Sequence, residues 1–362
     1  MKKIFFLLAV ATMSYQNQNF TIQGTIDSPF CFEGRSVYLE TRVGDSFLIS
    51  RIAIVRNGAF TFTGVADDAL RYITLSNLYR VPVLLEQGTI NVRLGDAVSV
   101  SGTKINTEFN EFRIEYDRIR NERMTDTQRF REMNEAGAMT DEQREEFFEE
   151  NEKLGEERRN LTIAFIRNNI ENAAGRHVLI TSIVSFPPEI QEEFVALADD
   201  NLRAEPAIAR IITRMENARN VAVGNRFVDF TMNDPESNEV SLSDFAGRGN
   251  YTLVVFWATW CAPCVQRVPY LREIYAKYQS RGFEIVGVSF DANHSAWVNA
   301  IRDLNIIWTQ MSDMRGVPRS PVWDLYALEM VPYSVLLDRE GIIIARNLRG
   351  EALENKLAEL MP

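Results

Sequence analysis

The sequence predicts a multidomain chain with an N-terminal all-β domain, a helical middle segment and a C-terminal α/β domain. Three observations carry this. Short apolar runs between Gly- and Asn-containing turns fill residues 19–103. Charge-dense sequence with helix-start signals fills residues 104–221. From 222 to 362, apolar strands alternate with helical stretches. The 362 residues suit two or three domains at about 150 residues each. Apolar residues at 46% and charged residues at 25% are ordinary for a globular protein and exclude a disordered tail, a collagen-like repeat and a polytopic membrane protein.

The N-terminus reads as an export signal over residues 1–14. Lys2 and Lys3 form a short basic region, Ile4 to Ala11 an apolar core, and Thr12-Met13-Ser14 a small-x-small step. The run is shorter than the roughly 20 residues a bilayer span needs, so no integral span is expected after cleavage. Lys plus Arg total 39 against 50 Asp plus Glu, a net charge of −11. Nucleic acid is therefore an unexpected partner, because phosphate backbones are gripped by clustered cations.

Residues 19–103 read as a small sandwich or curled sheet. Asn57-Gly58 lies between apolar runs, and both residues tolerate the positive φ of a two-residue hairpin turn. Phe60 and Phe62 alternate with Thr61 and Thr63, so one strand face is buried and the other wet. Further strands are expected over Arg71–Leu78, Val81–Glu86 and Thr89–Leu94. Cys31 stands alone in this region and is expected to be a buried apolar thiol.

Over residues 104–221, Thr140-Asp141-Glu142-Gln143 has the form of a capping box, and Thr125-Asp126-Thr127-Gln128 repeats it. Both are read as helix starts. The charged stretch Glu145–Arg159 is expected to be a solvated helix face. Pro187-Pro188 ends one helical run and starts another.

In the α/β part, Tyr251–Trp257 is a nearly all-apolar strand, as for a central strand covered on both faces. A helix is expected from about Ala262 to Ser280, a strand over Phe283–Ser289, and a helix over His294–Leu304. Strands follow at Tyr333–Asp338 and Ile342–Ala345, and Leu353–Leu360 closes the chain as a helix.

At the junction of strand and helix stands Trp260-Cys261-Ala262-Pro263-Cys264. Two cysteines three apart on a first helical turn can bring their sulfurs within bonding distance. The first lies where unpaired N–H groups and the helix dipole favour a thiolate, the nucleophilic form. Pro263 is tolerated because the first turn does not need its N–H. Cys261 is thus the expected attacking thiol and Cys264 the resolving one. Zinc ligation and a passive structural disulfide are the competing uses of such a pair, but no second ligand pair is spaced for zinc, His177 and His294 are the only histidines, and a structural disulfide would not need a strand–helix junction. No metal is expected.

These residues resemble a thioredoxin-like domain of the periplasmic, TlpA/ResA-like thiol-disulfide oxidoreductases. The resemblance spans about residues 222–362. It also rests on Gly224 to Phe230, Leu242 to Gly247, Phe256 to Cys264, Pro269, Val331-Pro332 and Leu337 to Gly341. The β domain followed by helices is similar to the upstream part of exported Bacteroidetes proteins. The resemblance implies a thioredoxin fold, a periplasmic location and a protein thiol or disulfide as substrate. It implies a membrane thiol reductant as electron donor and no cofactor beyond the Cys261–Cys264 disulfide. It also implies a cis Pro332 facing the cysteines, with the Val331 backbone pairing an extended substrate segment. Trp260, Ala262 and Pro263 complete the expected substrate contacts.

Two positions depart from the family's pattern. Val255 stands where thioredoxin has a buried acid, and Arg267 where the periplasmic relatives often carry glutamate. Deprotonation of Cys264 must then use water, the substrate or another group. Glu329 is a candidate for that role, and Arg267, if turned toward the sulfurs, would lower the Cys261 pKa. Two other functions compete with the oxidoreductase reading. One is a peroxiredoxin-like peroxidase, disfavoured because Ala258 stands three residues before Cys261, where a Thr or Ser is wanted. The other is a binding scaffold with a vestigial redox domain.

Overall fold

In the computed structural model, the described residues are 18–28, 32–44 and 46–362. The expected signal segment and Cys31 lie outside them. The chain divides into two units, one ending at Ala196 and the other beginning at Leu197.

The first unit opens with eight strands: β1 (Asn19–Asp27), β2 (Ser36–Val43), β3 (Ser46–Ile54), β4 (Ala59–Val65), β5 (Leu70–Leu75), β6 (Tyr79–Leu84), β7 (Gly88–Gly95) and β8 (Ser99–Ser101). They form two four-stranded sheets, β4-β1-β7-β8 and β3-β2-β5-β6. Phe20, Ile22, Phe60, Phe62, Ile90 and Val92 of the first share one core with Val37, Leu39, Ile73, Leu75 and Val83 of the second. This is the sandwich that the alternating pattern predicts, with Phe60 and Phe62 buried and their threonine neighbours exposed.

The turn at Asn57-Gly58 also forms. Both residues have positive φ, 51° and 69°, and Arg56 and Ala59 exchange two backbone hydrogen bonds of 2.9 and 3.1 Å. The flanking strands do not continue as a hairpin, however. β3 goes to one sheet and β4 to the other, so the turn is the corner between the two layers.

Four helices follow: α1 (Lys104–Glu135), α2 (Asp141–Asn169), α3 (Ala173–Ser182) and α4 (Pro188–Leu197). The helix start expected at Thr125 is not there. α1 runs through it without interruption, and the hydroxyls of Thr125 and Thr127 donate to the carbonyls of Asn121 and Arg123 at 3.0 and 2.7 Å. A hydroxyl turned back onto the preceding turn cannot cap. At Thr140 the capping box is complete. Thr140 has extended backbone, its hydroxyl accepts from Gln143 N–H, and the Gln143 side chain accepts from Thr140 N–H.

The second unit begins with α5 (Asp200–Arg203) and α6 (Pro206–Asn220). α6 packs with the α/β part: its Asn217 side chain donates to the Asp324 carbonyl at 3.0 Å. The rest comprises β9 (Thr231–Asn233), β10 (Glu239–Ser241), β11 (Tyr251–Trp257), α7 (Ala262–Tyr278), β12 (Phe283–Ser289), α8 (His294–Asp303), β13 (Thr309–Ser312), α9 (Pro321–Leu325), β14 (Tyr333–Leu337), β15 (Ile343–Arg346) and α10 (Glu351–Leu360). Its sheet has the order β10-β9-β13-β12-β11-β14-β15. β11 runs parallel to β12 and antiparallel to β14. The apolar run of β11 supplies two cores: Leu253, Val255 and Trp257 face one, Val254 and Phe256 the other. This is a thioredoxin-like α/β domain, and the chain as a whole is multidomain, with β sheets, then helices, then this domain.

Candidate active site

β11 ends at Trp257, and four residues separate it from α7. Cys261 is the N-cap of that helix and Pro263 lies in its first turn. The two sulfurs are bonded at 2.09 Å, with the Cα atoms 5.2 Å apart. Cys261 Sγ also accepts the backbone N–H of Cys264 at 3.2 Å. A donor at this place favours negative charge on the sulfur once the bond is opened. Both cysteines are buried, whereas Ala262 and Pro263 are exposed. Trp260 is 60% exposed, unlike Trp257, which belongs to the core.

The loop before Cys261 is tied down from the loop that follows β12. Asp291 is 2% exposed. Its carboxylate accepts from the Thr259 N–H at 3.1 Å, the Thr259 hydroxyl at 2.6 Å and the Ser289 hydroxyl at 2.7 Å. Sequence reading overlooked Asp291. The available signal was its place just past the carboxyl end of a parallel strand, where α/β sheets collect their functional residues.

Pro332 enters from the other side. The Val331–Pro332 peptide is cis, and β14 then pairs with β11, Tyr333 opposite Phe256. Pro332 and Cys264 line one small cavity together with Val255, Trp257, Arg267 and Gln310. Met330, beside Val331 in sequence, is 56% exposed and was not singled out from the sequence.

The two candidate modulators part company. The Glu329 carboxylate takes Arg214 of α6 at 2.5 Å and does not line the cavity beside Cys264. Arg267 does line it, and its Nη2 donates to the Leu348 carbonyl at 2.6 Å. Burial, and next the charge of Arg349, hold the Arg267 guanidinium below its ordinary pKa.

Among the described residues no group of three or more His, Cys, Asp or Glu side chains is placed to hold a metal ion. No helix among them is long and apolar enough to cross a membrane.

Comparison with known proteins extends this geometry. Residues 223–346 match the AhpC/TSA family, and residues 20–109 match a domain of unknown function, DUF4369. The thiol-disulfide oxidoreductase ResA of Bacillus thuringiensis is 30% identical over 139 residues, covering 38% of this chain and 76% of that relative. ResA of Oceanobacillus iheyensis is 29% identical over 160 residues, covering 42% of this chain and 80% of its own. Among solved structures, the thioredoxin domain of a thiol-disulfide oxidoreductase from Bacteroides vulgatus is 34% identical. It covers 39% of this chain and 99% of its own, with a TM-score of 0.36.

Proposed function

The chain belongs to the ResA-type thiol-disulfide oxidoreductases, and from that membership we propose that it is an exported enzyme reducing protein disulfides, with Cys261 attacking and Cys264 resolving. The observation that carries this reading is the bonded pair at the N-terminus of α7, Cys261 at the cap. In the reduced enzyme the Cys261 thiolate attacks one sulfur of a substrate disulfide, and the other substrate sulfur leaves as a thiol. Cys264 then attacks Cys261 Sγ, the second substrate thiol leaves, and the Cys261–Cys264 bond closes. The enzyme gives up two electrons and the substrate gains them, so a donor must reopen the pair. We assign that to a membrane thiol reductant facing the periplasm. Residues 1–14 act as the export signal in this reading, and residues 222–362 as the catalytic domain.

Substrate would lie along Trp260, Ala262, Pro263, Val331 and Pro332, with Met330 adding to the exposed apolar rim. The exposure of Trp260 and Met330 supports this, because unburied large apolar groups beside a reactive centre favour contact with a partner.

Insulin reduction under a thiol donor tests the assignment. The parent should turn over, Cys261→Ser should fall to the uncatalysed rate, and Cys264→Ser should stop after one event as a mixed disulfide visible by mass. A Cys261→Ser variant as active as the parent would instead favour a binding scaffold. Peroxide consumption without disulfide reduction would favour a peroxidase.

A further inference from the structure

Beside Cys264 lies a small, partly enclosed space lined by Val255, Trp257, Arg267, Ile306, Gln310 and Pro332. It leaves about 10 Å³ for the centre of a water molecule, about what one water requires. Three nitrogen atoms of its lining residues are buried and have no hydrogen-bond partner: Arg267 Nε, Arg267 Nη1 and Gln310 Nε2. Buried donors left unmatched are costly, so a cluster of them beside a water-sized space calls for an occupant that accepts.

The orientation of Gln310 follows from chemistry. Its Oε1 accepts from Trp257 Nε1 at 2.9 Å, and an indole N–H can only donate. The amide therefore presents oxygen to Trp257 and has its NH2 group free. Space for the amide comes from Gly287 on the neighbouring strand, where an added Cβ would sit 2.1 Å from Gln310 Nε2.

The electrostatics point the same way. Arg267 carries a positive charge into a partly buried site, and Arg349 adds a second; the nearby Tyr270 acts in the opposite direction. Among the described residues no carboxylate lines the cavity. The group in the lining that can become an anion is Cys264.

We propose that this cavity holds one water, donated to by Gln310 Nε2 and Arg267, and that water and guanidinium together stabilise the Cys264 thiolate. The inference rests on the reading that Cys264 is the resolving thiol. In the mixed disulfide, the Cys264 S–H releases its proton to bulk solvent, and the water, whose lone pairs accept from Gln310 and Arg267, donates to the thiolate that remains. Cys264 S⁻ then forms the bond to Cys261 Sγ as the Cys261–substrate S–S bond breaks, and the departing substrate thiolate takes up a proton from solvent. No oxidant or reductant beyond enzyme and substrate enters. Arg267 and Gln310 act as positioning residues here, not as nucleophiles.

The test is the ionisation of Cys264 itself. In the Cys261→Ser variant, iodoacetamide labelling of Cys264 is followed against pH by peptide mass spectrometry, which separates it from Cys31. Adding Arg267→Met should raise the midpoint so that labelling at neutral pH slows about tenfold, the smaller end of what loss of a neighbouring charge does. Arg267→Lys keeps the charge and should recover most of the rate. Gln310→Leu, which removes the donor to the water without changing charge, should slow labelling about threefold, in keeping with the loss of one hydrogen bond. Superimposable profiles for Arg267→Met and Arg267→Lys would overturn the role of the guanidinium. An unshifted Gln310→Leu would overturn the water. If Arg267→Met does not fold, by near-UV circular dichroism, the lysine and leucine variants decide alone. The redox couple of the parent is measured separately: its absence removes the catalytic reading, whereas a normal couple with unmoved profiles removes this inference only.

Discussion

Two buried polar sites, one in each unit, have opposite hydrogen-bond accounts. In the first unit, Glu86 accepts from the Thr103 hydroxyl, the Ile105 N–H at 3.1 Å, and both the backbone and side-chain N–H groups of Asn106 at 2.9 Å. Asn106 in turn exchanges two bonds of 2.9 Å with the Leu84 backbone. Every donor at the start of α1 that faces this carboxylate is matched. In the second unit, the guanidinium and amide beside Cys264 keep unmatched donors. The contrast teaches how to tell the two kinds of buried polar group apart. A saturated one fastens a helix to a sheet, and on the proposal above the unsaturated one beside Cys264 is arranged for a charge that comes and goes.

The sharpest way to break that contrast is to unsaturate the first site. Glu86→Ala strands several N–H groups at the α1 terminus, and should cost about 3 kcal/mol. Urea unfolding should show this as an early transition, with the redox couple of the cysteine pair unchanged. Next, Gly287→Ala disturbs the second site through packing alone. The new methyl displaces Gln310, and overpacking of this kind should cost about 2 kcal/mol. A change in tryptophan fluorescence should report the lost Trp257 bond.

The smallest effect concerns His177 in the first unit. Its pKa is held below the ordinary value, chiefly by burial and then by the charges of Arg42 and Arg113. It faces the Tyr72 ring, with centroids 6.5 Å apart, and lines a cleft with Arg113 and Asp117. The folded chain therefore takes up its proton at lower pH than the unfolded chain. Its contribution is complete above about pH 6.5, the unfolded value. It declines as pH falls below that, and levels off under the folded pKa. The melting temperature of His177→Gln should accordingly depend less on pH in this window than that of the parent.

The parts legible in sequence are those where a local rule and the tertiary environment agree. β11 is readable because both of its faces enter a core. Asn57-Gly58 is readable as a turn because the two positive φ values are a local demand, while the divergence of its strands is a property of the sandwich and leaves no local mark. Thr125 and Thr140 show the limit of a motif. Both precede a glutamine at the third position, but only Thr140 follows a break, at Gly137 with φ 63°. Gln128 instead donates to Glu132 at 2.7 Å along the helix. β13 escaped notice because Thr309-Gln310-Met311-Ser312 has no strand periodicity; Gln310 and Ser312 are buried, but find polar partners across the sheet. The cysteine spacing sufficed to expect sulfurs within bonding reach. Gln310, from an unrecognised strand, and Asp291, from a loop, reach the site only through the fold.

The most direct measurement is the midpoint of the Cys261–Cys264 couple, by equilibration in thiol buffers with alkylation and mass readout. The account predicts a single two-electron couple toward the reducing end of the family range, about −270 mV. The absence of any couple, or a value near about −120 mV that marks an oxidant, would contradict it.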